Sequence, residues 1–307
     1  MPKIDVLQLV KLRPEVQKEL EARYTVHPGS DTDKVADIVR AVVTNGHSGP
    51  DPALIDKLTR LEIVGSASVG YDGIAVEYAR SKGIPVTNTP DVLNDDVADL
   101  AIALMIMTAR RLVASDRYVR AGRWAKEGDF PLAYKASRKR VGILGMGRIG
   151  REIAQRAAAM NATVAYHSRK PVADVPYRHY PDLVELAKDS DFLVVIIPAT
   201  PQTDKIVNQA VLEALGPGGI LVNVARGAVV DQDALVAALQ SGALGGAGLD
   251  VFAEEPKVPE ILFGMDNVVL EPHVGSATFE TRRAMSQLVL DNLDAHFAGR
   301  PLLTEIR

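Results

Sequence analysis

The sequence predicts an α/β protein built from two doubly wound parallel-sheet domains. Three observations lead there. The chain has 307 residues, more than the commonest single-domain size. Short apolar, β-branched runs alternate with helical patterns over most of its length, the order that yields parallel sheets covered on both faces. The alternation also falls into two series of unequal length, separated by a long apolar helical pattern around residue 100.

In the first series, Ile4 to Val10, Ala41 to Thr44, Leu61 to Gly65 and Pro85 to Thr87 read as strands. Helical patterns at Pro14 to Leu20, Ala53 to Leu58 and Ile74 to Ser81 lie between them, the first with proline at its start. The separating helix is expected from about Asp95 to Ala121. It begins acidic (Asp95, Asp96, Asp99) and ends basic (Arg110, Arg111, Arg117, Arg120), as the helix dipole favours. Its middle, LAIALMIMTA, is apolar nearly all round, so it should be buried on more than one side: packed between domains, or also part of a subunit interface.

The second series offers strands at Val141 to Leu144, Thr163 to His167, Phe192 to Ile197, Ile220 to Val224, Gly246 to Leu249 and Val268 to Leu270. Helices are expected at Ile149 to Ala159, Leu183 to Lys188, Gln209 to Leu215 and Gln232 to Leu239, with Gly216 and Gly242 at C-cap positions. A final helix, Phe279 to Ala298, runs into Gly299-Arg300-Pro301.

Composition narrows the function. A hydrophobic fraction of 47% and a charged fraction of 24% are globular values. A net charge of -4 without a long run of one sign argues against nucleic acid and anionic membrane as partners. With no cysteine there is no disulfide, thiolate nucleophile or Cys-ligated metal, and no metal site is expected. The N-terminus shows no apolar stretch with a cleavage site, so a cytoplasmic location is the expectation. The longest apolar stretch, Leu100 to Ala109, is too short to span a bilayer.

The segment VGILGMGRIG places Gly145-x-Gly147-x-x-Gly150 between a predicted strand and a predicted helix. A lone triplet of this kind is weak; this context is the one a dinucleotide site needs. Gly145 permits the tight turn, Gly147 lets backbone approach a pyrophosphate, and Gly150 lets helix and sheet lie close, the arrangement of a Rossmann-like domain. The plain alternative is an ordinary glycine-rich turn. The next strand runs into Ser168-Arg169-Lys170, where an NAD-binding fold places an acid on the ribose 2′-hydroxyl. A hydroxyl, a guanidinium and an ammonium would attract a 2′-phosphate instead, so NADP(H) is expected over NAD(H). The alternative is a solvated basic turn with no preference.

Reduction of a carbonyl by a nicotinamide needs a proton donor and a group that holds and polarises the substrate. Of the six histidines, His27, His47, His167, His179 and His296 lie where a solvated imidazole is the ordinary explanation. His273 instead follows the strand in NVVLEP, at the carboxyl end where such sheets bind ligands. Arg226 in LVNVARGAVVD and Glu255 in LDVFAEEP also follow strands. A guanidinium can grip a carboxylate with two donors, and a carboxylate beside an imidazole orients it. Singly, each has a dull reading as loop ion pair, surface acid or buried histidine. Together, at successive strand ends, they point to chemistry.

VGILGMGRIG, LVNVARGAVVDQDALVAAL, GAGLDVFAEEP and VVLEPHVGSAT together resemble the D-isomer-specific 2-hydroxyacid dehydrogenases, over nearly the whole chain. SVGYDGI, YHSRK, YRHYPDLVELAKDSDFLVV and LFGMDNVVLEPHVGS look closest to the NADP-dependent glyoxylate/hydroxypyruvate and hydroxyphenylpyruvate reductases within it. The resemblance implies a discontinuous substrate domain (1–96 and 286–307) around a dinucleotide-binding domain (97–285), with an active-site cleft between them, and a homodimer joined through the long helix. It implies Arg226, Glu255 and His273 as catalytic groups, with Glu254 a bystander, and substrate held by Ser68, Val69, Gly70, Arg226 and His273. For the cofactor it implies Gly145, Gly147, Arg148, Ile149, Gly150, Ser168, Arg169, Lys170, Pro198, Thr203, Val224, Ala225, Arg226, Asp250, His273 and Gly275. Asp99 departs from the glutamate many relatives carry, which puts hinge detail in doubt. Two rival readings stay open: a dehydrogenase of the same fold acting on phosphoglycerate or formate, and a non-catalytic dinucleotide-sensing corepressor. The complete Arg-Glu-His set favours the reductase.

Overall fold

The computed structural model describes residues 3–306. It divides into two compact units: the chain up to Leu93 together with the stretch from Ser276 onward, and Asn94–Gly275. These limits differ from the 96/97 and 285/286 boundaries drawn on the sequence. The physical reason is that helices stay whole, and both expected cuts fall inside one.

In the first unit β1 (Asp5–Gln8), α1 (Pro14–Arg23), β2 (Thr25–Pro28), α2 (Thr32–Val35), β3 (Ala41–Thr44), α3 (Pro52–Lys57), β4 (Ile63–Ser66), α4 (Val76–Ser81) and β5 (Val86–Thr87) follow one another. Among the described residues the strands form one sheet in the order β2-β1-β3-β4-β5, every pairing parallel. The inner strands β3 and β4 are buried along their full length, as parallel strands covered on both faces must be. One face is closed by Ile55, Leu58 and Ala79 of α3, α4 and their flanks. The other is closed by Val16 and Leu20 of α1 with Val289, Leu290 and Leu293 of the last helix.

The second unit begins with α5 (Asn94–Arg110), α6 (Leu112–Arg120) and α7 (Arg123–Glu127). The single helix expected to Ala121 is therefore broken. Arg111 takes a left-handed conformation at φ 51, which an α-helix cannot continue through. Its guanidinium is engaged on both sides, 3.2 Å from an Asp266 carboxylate oxygen and 5.5 Å from the Phe130 ring centre. Then come β6 (Arg140–Leu144), α8 (Arg148–Ala159), β7 (Thr163–His167), β8 (Arg178–Tyr180), α9 (Leu183–Lys188), β9 (Phe192–Val195), α10 (Gln209–Leu215), β10 (Ile220–Asn223), α11 (Gln232–Ser241), β11 (Gly246–Leu249) and β12 (Val268–Leu270). Among the described residues they form a parallel sheet ordered β12-β11-β10-β9-β6-β7-β8. Gly216 and Gly242, both at positive φ, follow α10 and α11. The helix α12 (Phe279–Phe297) returns to the first unit, and the segment after it pairs along β5 through the Thr87–Glu305 bridge.

Both parallel-sheet α/β domains expected from the sequence are thus present. The edge strands β2 and β8 were missed by the sequence reading. Their composition, TVHP in β2 and RHY in β8, explains why: β2 has no buried residue and β8 has only Tyr180, so neither carries the apolar run that marks an inner strand.

Candidate active site

The strand order of the second unit reverses at β6, which lies between β9 and β7. The chain leaves β6 there through Gly145 at φ +109, a conformation that side chains rarely adopt. A Cβ on Gly150 would run into the Gly145 carbonyl, so α8 can start this close to the sheet only with glycine. At Gly147 an added Cβ would meet nothing within 4 Å, so the turn opens onto free space at the start of α8. The first N–H groups of a helix lack partners within it and face outward, which suits an anion. A dinucleotide pyrophosphate fits this turn.

Around it lie the other candidates for the cofactor. Arg148 and Gly147 are exposed and Ile149 half-buried at the helix start. Arg169 and Lys170 are exposed beyond β7, and Ser168 donates its hydroxyl to the Lys170 carbonyl at 2.6 Å. Thr203 turns its hydroxyl back on its own loop, donating to the Pro198 carbonyl at 2.8 Å. Its part is therefore to shape the Pro198–Thr203 loop. Val224 and Ala225 are buried where β10 ends, with the Ala225 N–H donating to the Asn223 side chain at 3.0 Å.

The ends of β10, β11 and β12 bring Arg226, Glu255 and His273 to the same edge of the sheet. His273 Nδ1 lies 2.7 Å from Glu255 Oε2. The other oxygen of Glu255 accepts the Phe252 N–H at 3.1 Å, which fixes the carboxylate plane. The side chains are about one-third exposed (32% and 29%), enough to meet a small ligand without losing their mutual bond. His273 itself sits at φ 55, a sparsely populated conformation for a residue with a Cβ. Asp250 holds it there. Its backbone carbonyl accepts the His273 N–H at 2.9 Å, while its carboxylate accepts Val274 N–H at 2.6 Å and Gly275 N–H at 2.9 Å. Burial raises the Asp250 pKa above the usual carboxylate value, and the two N–H donors oppose that rise.

Arg226 follows β10 on a turn that Asn223 ties down, its side-chain amide donating to the Arg226 carbonyl at 3.0 Å. The guanidinium reaches the Ala225 carbonyl at 2.7 Å. Gly227 has no room for a side chain, because a Cβ would strike the Phe252 carbonyl. The Arg226 turn therefore packs directly against the one that carries Glu255. Asn223, fully buried and holding this turn, was not singled out from the sequence; a polar residue ending an otherwise apolar strand was its only signal.

In the first unit, Ser68, Val69 and Gly70 follow β4. The Ser68 carbonyl accepts the Thr89 N–H at 3.0 Å and the Val69 carbonyl accepts the Asn88 side chain at 2.8 Å. A trans peptide points its N–H opposite to its C=O. The N–H groups of Val69 and Gly70 are thus turned away from those partners.

Several of the other histidines are not simply solvated: His27 Nε2 lies 2.7 Å from an Asp5 carboxylate oxygen. His167 Nδ1 meets the Tyr180 carbonyl at 2.9 Å, and His179 Nε2 meets the Ser168 carbonyl at 3.0 Å.

An open parallel sheet with a glycine turn at its strand reversal, and a carboxylate-held imidazole at its carboxyl edge, defines a dinucleotide-dependent α/β enzyme. The chain belongs to the D-isomer-specific 2-hydroxyacid dehydrogenases. The profile described as "D-isomer specific 2-hydroxyacid dehydrogenase, NAD binding domain" matches residues 102–275. The hydroxyphenylpyruvate reductase of Plectranthus scutellarioides is 50% identical over 313 aligned residues, covering 100% of both chains. The glyoxylate/hydroxypyruvate reductase A of Arabidopsis thaliana is also 50% identical, again over 100% of both. Among solved structures, the NADPH-dependent glyoxylate/hydroxypyruvate reductase of Sinorhizobium meliloti, in complex with NADP and malonate, superposes with a TM-score of 0.94 at 43% identity, covering 99% of this chain and 97% of that one. The cofactor is accordingly a nicotinamide dinucleotide, and the reaction class is that of 2-oxo acid reductases. No helix is long and apolar enough to cross a membrane among the described residues.

Proposed function

We propose that this protein reduces a small 2-oxo acid, such as glyoxylate or hydroxypyruvate, to the D-2-hydroxy acid, using NADPH in preference to NADH. The observation that carries the reading is the 2.7 Å contact between His273 and Glu255 on the sheet edge that also bears the glycine turn. Gly145 to Gly150, Ser168 to Lys170, the Pro198–Thr203 loop, Val224 to Arg226, Asp250 and Gly275 would hold the dinucleotide. When bound, the reduced nicotinamide supplies the hydride. The chain's own residues do the rest. His273, its Nδ1–H given to Glu255, donates a proton from the opposite ring nitrogen to the substrate oxygen. Glu255 fixes the orientation of the ring. Arg226 grips the substrate carboxylate and polarises the keto oxygen. In the first unit, the N–H groups of Val69 and Gly70 would take a carboxylate, the carbonyls of the same two peptide planes being held by the Thr89 N–H and the Asn88 side chain.

The preference for NADPH is supported by Arg169 and Lys170 beyond β7, in a loop with no carboxylate at the ribose position, and by the cofactor named for the Sinorhizobium relative. An aryl-substituted substrate is the second reading, favoured by the Plectranthus relative. Steady-state oxidation of NADPH and NADH with glyoxylate, hydroxypyruvate, hydroxyphenylpyruvate and a phosphorylated 2-oxo acid separates these. No turnover of any 2-oxo acid would sink the proposal. A homodimer is part of it, and the half-buried apolar residues Ile102, Ile106 and Met107 on α5 are consistent with a second copy. Sedimentation reads that out.

A further inference from the structure

The edge strand β8 does something for the loop beyond β7 that the catalytic reading leaves unused. His179 on β8 stands opposite Tyr166 on β7 in the parallel register. Their ring centres are 5.2 Å apart, and the His167 ring lies nearly parallel to that of His179, at 13° and 6.5 Å. Held this way, His179 directs Nε2 to the Ser168 carbonyl at 3.0 Å. A carbonyl oxygen only accepts, so Nε2 carries the proton. Tyr166, the other ring of the pair, accepts the Val172 N–H at 2.9 Å and so pins the far end of the same loop. Ser168 spends its hydroxyl proton on the Lys170 carbonyl. Arg151 of α8 reaches the Ala173 carbonyl at 3.2 Å, tying the loop to the helix that starts at the glycine turn.

These bonds have a directional consequence. With the Ser168 carbonyl turned to His179, the Arg169 N–H of the same peptide plane points away from β8. Arg169 and Lys170 project their side chains into solvent. The loop therefore offers an N–H, a guanidinium and an ammonium, while its nearest acceptors are occupied within the protein. That is the donor set of a phosphate monoester, and the wrong one for a bare ribose diol.

We propose that His179 is a positioning residue for cofactor choice: its Nε2–H locks the Ser168 carbonyl and so presents the Arg169–Lys170 turn to the 2′-phosphate of NADPH. This rests on the NADPH reading above. The test is steady-state kinetics of His179→Ala and His179→Gln with each reduced cofactor at saturating 2-oxo acid. Loss of one hydrogen bond predicts that His179→Ala raises KM for NADPH about three- to tenfold, with kcat and KM for NADH within about twofold of the parent. His179→Gln, whose amide donates from a similar place, should return KM for NADPH to within about twofold of the parent. An unchanged KM for NADPH overturns the proposal. So does an equal rise for both cofactors, which would mark His179 as a general support of the sheet edge, and so does failure of glutamine to rescue. Should His179→Ala fold too poorly to assay, His179→Leu keeps the apolar packing, removes the donor and carries the same expectations. The double variant Arg169→Ala/Lys170→Ala separates the two ideas. It should abolish the preference for NADPH; if it does not, the NADPH reading falls. If it does while His179→Ala is silent, only the role of His179 falls.

Discussion

The two sheets are alike in build and unlike in what their first turns can hold. Both are parallel, and both reverse strand order beside the first strand of the unit: β1 lies between β2 and β3, β6 between β7 and β9. Ligands of such sheets bind outside the carboxyl ends at that reversal. After β6 the chain turns at Gly145 and α8 begins at Arg148. After β1 the connection reads Leu9-Val10-Lys11-Leu12-Arg13, has no glycine, and buries Leu12. There Gln17 of α1 bonds both to Gln8 at 2.7 Å and to the Leu12 N–H at 3.1 Å, so protein groups occupy the position that the other sheet leaves open. The lesson is that the fold supplies the place and the turn supplies the site.

If chemistry belongs to the second sheet, losing one of its strand-end side chains should cost orders of magnitude. His273→Ala is expected to lower kcat about a thousandfold while NADPH affinity, read by fluorescence titration, stays within about twofold. Unchanged kcat would end the assignment. Arg226→Lys should follow, lowering kcat/KM for glyoxylate about a hundredfold, because an ammonium cannot grip a carboxylate with two parallel donors. The matching change in the first sheet, Gln17→Ala, should leave kcat within about twofold and cost about 1 kcal/mol of stability. A large kinetic effect there would erase the contrast.

The glycine turn sharpens the comparison further, since two of its glycines answer to different demands. Gly150→Ala drives a Cβ into the Gly145 carbonyl, so it should destabilise the folded unit by about 1–3 kcal/mol in urea unfolding. Gly147→Ala meets nothing within 4 Å, so its stability should stay within about 0.5 kcal/mol of the parent. Yet it should raise KM for the dinucleotide about tenfold, because the added methyl occupies the room a pyrophosphate needs. Equal behaviour of the two variants would mean the turn is only a packing device.

Most of this was legible because the signals are local. The strand-glycine-helix order at β6 and α8, and the placement of Arg226, Glu255 and His273 after apolar strands, are patterns within short windows. What escaped the sequence depends on partners far along the chain. Arg111 is a good helix former, and nothing near it announces the break that separates α5 from α6. His179 reads as a solvated residue among Arg178 and Tyr180 until β8 is seen beside β7. Nothing near Asp250 in the sequence announces that its carboxylate clamps Val274 and Gly275 from a strand away.

The smallest expected effect compares one ion pair from each sheet. Arg40 grips Glu62 in the first unit through two donors, and that contact lowers the Glu62 pKa. In the second, burial would raise the Asp191 pKa, but Arg140 outweighs it with side-chain and backbone hydrogen bonds, and the net direction is down. A carboxylate whose folded pKa lies below its unfolded value stabilises the protein above the unfolded value. That stability is lost as pH falls through the folded value. Asp191→Asn should therefore lower stability by about 1 kcal/mol at pH 7, and by progressively less as the pH is taken below about 4, where the parent loses the same contribution. Glu62→Gln should show the same sign with a smaller size, because its carboxylate is more exposed (39% against 25%) and water screens it. Denaturant midpoints of both variants at pH 7 and pH 3 decide it. If the Asp191→Asn penalty persists at the lower pH, the contribution is one of packing, and the charge account of that strand start is wrong.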